Sequence, residues 1–230
     1  MRWRFILLAL AVIAGAAAAA PPKPEDTMAQ RVRACTVCHG EAGRAAADGF
    51  HPRIAGKPAG YLFNQLVAFR DGRRPYALMT ALLEPLSDAY LRDIAAHFAA
   101  LDLPYPPPQA PTADAAALAR GRQLVEAGDK ALAVPACAAC LGERLTGAQP
   151  ATPGLLGLPR DYLNAQLGAW RSGERRAPAP DCMAKVARAL APADIAAVAQ
   201  WLAAQPVPKP ARAADALPAP LPLDCGGGAR

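Results

Sequence analysis

Apolar positions recur along this chain at helical spacing, and the same arrangement occurs twice. Tyr61, Leu62, Leu66 and Phe69 fall on one side of a stretch running to Arg70 and closed by Gly72. Leu91, Ile94, Phe98 and Leu101 share a face behind Ser87, a good N-cap. Each predicts a helix, and Asp26 to Cys38 predicts a short one before them. Gly40 to Gly56, rich in Gly and Ala and carrying Pro52, reads as loop, as does the polar segment Arg73 to Pro85. Pro104 to Pro111 is a stiff, extended linker. Beyond it the pattern returns. Tyr61, Leu62, Gln65, Leu66, Phe69, Arg70 and Gly72 are matched 101 residues later by Tyr162, Leu163, Gln166, Leu167, Trp170, Arg171 and Gly173. Cys35 and Cys38 match Cys137 and Cys140 at 102, Met79 matches Met183 at 104, and Ile195, Val198 and Leu202 continue the register of the last helix. An offset that drifts by so little indicates a duplicated domain. The expected organisation is a leader over 1–20, a first domain over 21–103, the linker 104–111, a second domain over 112–205 and a tail 206–230. That tail is rich in Pro, Gly and Ala and is expected to be disordered.

Composition turns this pattern into a fold class. The chain is 53% hydrophobic and only 6% aromatic, rich in Ala, Leu and Arg and sparse in β-branched residues, which favours helices over sheets and an all-α fold. Net charge is +6, and its Lys and Arg residues are scattered. This points away from nucleic acid and toward a solvated surface or a docking aid for an acidic partner. The first twenty residues have the layout of a secretory signal: Arg2 and Arg4, an apolar run from Phe5 to Ile13, then small residues from Gly15 to Ala20. Cleavage is expected within Ala17 to Ala20. An uncleaved anchor is the alternative, but the apolar run falls short of the roughly 20 residues a span needs.

Candidate chemistry centres on Cys35-Thr36-Val37-Cys38-His39. Two thiols separated by two residues and followed by an imidazole suit covalent haem attachment: each thiol adds to one vinyl group, and the histidine reaches the iron. Zinc would need more ligands nearby than His51 alone supplies. Export and this motif together place a c-type cytochrome in a bacterial periplasm, soluble or loosely membrane-associated. A sixth ligand is then open, and Met79 is the candidate, since a thioether favours reduced iron; its bland alternative is core packing. The pairing of Met79 with Met183 in the repeat favours ligation.

CxxCHG, a loop, Ala55-Gly56, Tyr61-Leu62, Gln65-Leu66, Phe69-Arg70-Asp71-Gly72 and then Met79, nearly all of it twice over, resembles cytochrome c4 and its diheme class I relatives. The likeness runs from Met28 to Gln205. It implies two small all-α haem domains facing one another, haem c as cofactor, and single-electron transfer between periplasmic or membrane-bound redox proteins such as a quinol-oxidising complex and a terminal oxidase. Cys35, Cys38, His39 and Met79 take the family's roles of thioether links and axial ligands, and Cys137, Cys140 and Met183 their counterparts in the second half.

The second half departs at one position: it reads Cys137-Ala138-Ala139-Cys140-Leu141, and leucine has no lone pair for iron. His39, His51 and His97 all lie in the first half. Three outcomes stay open: a haem attached at Cys137 and Cys140 with Met183 or water on iron; no second haem, with the two cysteines free to form a disulfide; or Leu141 as a recent lesion. His51 and His97 are expected to face solvent or pack, and Lys185 to be a surface lysine. Arg70 and Arg171 are candidates for haem propionates or the domain interface. Cys182 and Cys225 can pair or stay free. No nucleophile stands beside a base and no carboxylates are paired for catalysis, so an electron carrier is expected. The runner-up is a sensor or weak peroxidase binding a gas or peroxide at an open iron in domain 2, and a third reading is a non-redox interaction module.

Overall fold

The structure is a computed structural model and describes residues 25–227; the leader over 1–20 lies outside them. In chain order the helices are α1 (Met28–His39), α2 (Ala59–Arg70), α3 (Ala77–Leu83), α4 (Asp88–Ala99), α5 (Ala115–Glu126), α6 (Cys137–Leu141), α7 (Arg160–Ser172), α8 (Cys182–Ala189) and α9 (Pro192–Ala203). A short antiparallel ribbon, β1 (Gly147–Ala148) with β2 (Thr152–Pro153), is the only sheet among the described residues. The fold is all-α, as the composition and periodicity indicate.

Local chemistry explains most boundaries. Thr27 caps α1 by accepting from the Gln30 amide, Ser87 caps α4 through the Tyr90 amide, and Asp114 caps α5 through the Ala117 amide. Gly173 closes α7 in the left-handed conformation. The segment Arg73 to Pro85, expected to be loop, is a helix at its centre. Thr80 donates from its hydroxyl to the Phe69 carbonyl at 2.9 Å, which binds α3 to the end of α2. That long-range contact, invisible to local composition, stabilises a seven-residue helix.

Each half packs around its own apolar cluster. Val32, Leu62, Phe63, Leu83, Leu91, Ile94, Ala95 and Phe98 form the first. The second is larger, with Leu124, Val125, Val134, Leu145, Leu156, Leu158, Leu163, Leu190, Ile195, Val198, Ala199 and Leu202. Burying each large side chain contributes roughly 1.5–3 kcal/mol. In the second half α5 crosses α9 so closely that a Cβ on Gly121 would lie 2.2 Å from the Ala197 carbonyl oxygen. Arg120 ties the same crossing to Asp194 at 2.7 Å and to Asp129 at 2.8 Å.

The duplication is less regular at its start than the cysteine offsets imply. Helix α1 runs unbroken into its cysteines, whereas α5 ends at Glu126 and a loop closed by an Asp129–Val134 bridge precedes α6. An insertion therefore separates the two parts of what is one helix in the first half.

The tail is not disordered as expected. Ala214 pairs with the ribbon: its amide donates to the Gly147 carbonyl at 2.9 Å, and its carbonyl accepts from the Gln149 amide at 2.7 Å. Arg144 reaches the Pro210 carbonyl at 2.6 Å, and Val207 packs on the second core. Cys225 is joined to Cys182 by a disulfide, which resolves the pairing left open by the sequence. Backbone pairing and a covalent link hold this segment, so an apolar period is not needed.

Lys57 crosses between the halves. Its side chain is only 4% exposed, and its ammonium donates to the Gly154 carbonyl at 2.9 Å. Burial, with Arg53 nearby, pulls it down to about 7 from an ordinary 10.5. The unfolded chain keeps the proton up to about 10.5 and the folded chain releases it near 7, so its contribution to stability rises with pH across that window. The burial penalty is fully felt below pH 7. Lys57→Met is expected to stabilise the protein near pH 6 by on the order of 3 kcal/mol and to remove this rise. Urea unfolding of parent and variant between pH 6 and 10 measures the difference, in which the titration of other groups cancels.

Candidate functional site

The last turn of α1 presents Cys35, Cys38 and His39. Residues three and four apart share a helix face, so Cys35 lies alongside both Cys38 and His39. Cys35 packs against the first core and burial pushes its thiol up, while Cys38 is exposed. His39 is 9% exposed, and burial pulls its imidazole down, toward the neutral form that ligates metals.

One hydrogen bond orients the ring. His39 Nδ1 lies 2.8 Å from the Pro52 carbonyl oxygen. A carbonyl only accepts, so Nδ1 carries the hydrogen and Nε2 keeps its lone pair. This is the arrangement that holds a histidine ligand in one tautomer and orientation. The loop that brings Pro52 back depends on Gly40, whose φ is +75° and whose Cβ, if present, would lie 2.2 Å from the Ala45 carbonyl oxygen. The Ala45 amide in turn donates to the His39 carbonyl at 2.9 Å, and the amides of Ile54 and Ala55 donate to the Gly43 carbonyl at 2.9 and 3.0 Å.

Met79 lies on α3, partly buried, against the same core as Cys35, Tyr61 and Phe69. A thiol and a thioether on one apolar cluster, with an imidazole of free nitrogen at the end of the thiol's own helix, form a donor set suited to haem iron. His51 is held by Asp48, which the His51 amide, then its imidazole and the Phe50 amide, bring down to about 2, and its ring stands edge-on to His39 at 6.0 Å. His97 packs edge-on against Phe98. Among the described residues no group of three or more His, Cys, Asp and Glu side chains is placed to hold a metal ion.

The second half keeps the frame with a different occupant. Cys137 packs on its core, its thiol pushed up to about 11 by burial, and Cys140 is partly buried. Leu141 ends α6 where α1 ends in His39. Met183, beside the Cys182–Cys225 disulfide, is the second residue of α8 and is partly buried. Both cysteines remain unpaired thiols here. Lys185 is exposed.

The halves meet through a polar cage to which Arg70 and Arg171, candidates for the interface or for haem propionates, do not contribute. Arg70 and Arg171 stay within their own domains, donating to the Leu86 and Leu190 carbonyls at 3.1 Å each. Arg74 and Arg175 occupy the interface. Arg74 donates to Gln65 at 3.0 Å, to Gln166 at 2.7 Å and to the Tyr162 hydroxyl at 2.9 Å; Arg175 donates to Gln166 and Gln65 at 2.7 Å each. The signal was present, since Arg74 and Arg175 also stand 101 residues apart beside the matched glycines.

These features define a two-domain, all-α c-type cytochrome. No known family profile matches the chain. It is 36% identical over 170 residues to a cytochrome c4 from Pseudomonas aeruginosa, covering 74% of this chain and 78% of that one. It is 37% identical over 170 residues to a thiosulfate dehydrogenase electron acceptor from Thiomonas intermedia, covering 74% of each. The reduced cytochrome c4 structure from Pseudomonas stutzeri superposes with a TM-score of 0.66 at 30% identity, over 76% of this chain and 95% of that one. The thiosulfate dehydrogenase TsdBA from Marichromatium purpuratum gives a TM-score of 0.66 at 35% identity, over 75% of this chain but only 36% of that longer one. The chain belongs to the cytochrome c4 family, its cofactor is haem c, and it is an electron carrier.

Gly40→Ala tests the loop that sets the histidine. The variant is expected to lose about 2 kcal/mol or more in urea unfolding, because both φ and space oppose a side chain there. Its absorption spectrum is expected to show a larger high-spin fraction as His39 loses its fixed orientation.

Proposed function

We propose that this protein is a periplasmic single-electron carrier whose working centre is a haem c on Cys35 and Cys38, with His39 and Met79 as axial ligands. We further propose that it takes its electrons from a haem-containing dehydrogenase of the thiosulfate-oxidising type. The observation that carries the first part is the His39–Pro52 hydrogen bond, which leaves Nε2 free on a buried ring at the end of a CxxCH helix. When bound, haem supplies the one-electron couple; the chain supplies ligands, a low-dielectric pocket and exclusion of water. His39 holds its side of the site through Pro52, and Met79 stands on a short helix tied by Thr80 to α2. The likeness to thiosulfate dehydrogenase electron acceptors and to TsdBA supports the choice of donor. Delivery goes to another periplasmic or membrane-bound redox protein, consistent with the amino-terminal export pattern.

Met79→Leu is expected to abolish the sulfur-to-iron charge-transfer band of the oxidised protein and to lower the domain 1 potential by on the order of 0.1 V, a part of the roughly 0.8 V that axial ligands span. An unchanged band and potential would remove Met79 from the site. Mixed with thiosulfate and a thiosulfate dehydrogenase, the purified protein is expected to be reduced, and with thiosulfate alone it is not. Failure of the complete mixture to reduce it counts against this donor.

A further inference from the structure

The two halves touch through polar groups and keep their apolar clusters apart. Among the described residues none belongs to both clusters. Across the boundary the Gly60 amide donates to the Pro150 carbonyl at 3.1 Å and the Arg176 amide to the Arg73 carbonyl at 2.8 Å, in addition to the cage of Arg74 and Arg175. The linker is anchored on both sides. Arg53 of domain 1 donates to the Leu103 and Pro104 carbonyls at 2.6 and 3.0 Å, and the Gln109 amide donates to the Ala203 carbonyl of domain 2 at 2.9 Å. The halves can therefore part at this boundary with both cores whole.

One group here is out of keeping with its surroundings. Lys57 is buried, and its amine meets a single acceptor among the described residues, the Gly154 carbonyl of domain 2 at 2.9 Å. An ammonium carries three hydrogens and a charge, so two donors and the charge go without a protein partner. A neutral amine needs no counter-charge and still donates one N–H to the carbonyl. On the domain 1 side stands Arg53, a second cation, and the Tyr105 ring of the linker lies 6.0 Å from the amine, its phenol pushed up by burial and so neutral. Asp102 and Arg44 act on Arg53, and Arg212 lines a small cavity with it. On the domain 2 side Thr152, Pro153 and Gly154 carry no titratable side chain. The 101-residue repeat puts Leu158 at the position of Lys57, so the buried amine is peculiar to one half.

We propose that Lys57 is a proton-operated latch between the halves: as a neutral amine it holds domain 2 to domain 1, and as an ammonium it lets the two part more often, each core intact. In the parted form Lys57 meets water and keeps its proton up to about 10.5, whereas in the joined form burial and then Arg53 make it release the proton near 7. The joined form therefore gains on the parted one by about tenfold per pH unit as pH rises from 7, and the balance is level below 7.

Amide hydrogen exchange of the reduced, full-length holoprotein, followed by NMR between pH 6 and 9 and corrected for intrinsic rates, reads the parting. The Gly60 and Arg176 amides, whose acceptors lie in the other half, are expected to be less protected than Ile94 and Phe98 in α4 or Val198 and Leu202 in α9. Their protection is expected to be flat from pH 6 to 7 and to rise about tenfold per unit from 7 to 9. Lys57→Gln keeps a neutral donor and Lys57→Met removes charge and donor alike; in both the rise is expected to vanish. The Tyr162 phenol, pushed up by burial but pulled down further by Arg74 and Arg175, is common to all three proteins and cancels in the comparison. No rise in the parent, or the same rise in Lys57→Met, overturns the latch. Equal protection of boundary and core amides at every pH does so too, because the halves then part only when the chain unfolds.

Discussion

The hydrogen bond from His39 to the Pro52 carbonyl sets what the first domain must look like. For the ring to point one nitrogen at backbone and leave the other free, α1 has to stop at His39 and the chain has to double back within thirteen residues. Gly40 permits the stop by adopting a φ that other residues resist, and the Gly43 carbonyl gathers the returning strand at Ile54 and Ala55. Everything downstream is then placed. Pro58 can start α2 because the loop has ended, α2 carries Leu62 and Phe63 into the core, and α3 hangs from its end through Thr80. Met79 reaches the same apolar cluster as Cys35 as a consequence of these links.

The second domain has the same plan under a weaker chemical constraint. Without a histidine at position 141 no ring has to be oriented, and the region equivalent to the Pro52 loop has become a ribbon on which the tail can pair. Its support is distributed differently. The apolar cluster is larger, the α5–α9 crossing is locked by Arg120, and a disulfide fastens the tail beside α8. A small domain that does not depend on one metal–ligand bond needs such additions, because a core of this size alone leaves little margin. Leucine at position 141 is therefore compatible with the fold.

Much of this was legible in the residues. Helical spacing located α2, α4, α7 and α9, Ser87 announced its cap, and the CxxCH motif with its repeat pointed to the family. What was missed depended on contacts between distant parts of the chain. Helix α3 was hidden because Arg73 to Pro85 has loop composition and is held by a side chain reaching α2. The tail was misread because backbone pairing with Gly147 and Gln149 leaves no trace in hydropathy. Arg70 and Arg171 drew attention through the helix repeat, yet each is consumed by a carbonyl in its own domain. Arg74 and Arg175, equally repeated, face across the interface, and which of two neighbouring arginines does so depends on where the chain turns after Gly72 and Gly173.

That interface bears on the direction of electron flow. Two guanidiniums are placed there against neutral oxygens, and Arg175 is almost wholly buried. In a low-dielectric setting a fixed positive charge favours whichever redox state carries one positive charge fewer, which is the reduced one. Arg74 exerts this sign of effect on His39, where it adds to the larger effect of burial in opposing protonation. A redox centre close to the cage would be tilted by that charge toward its reduced state.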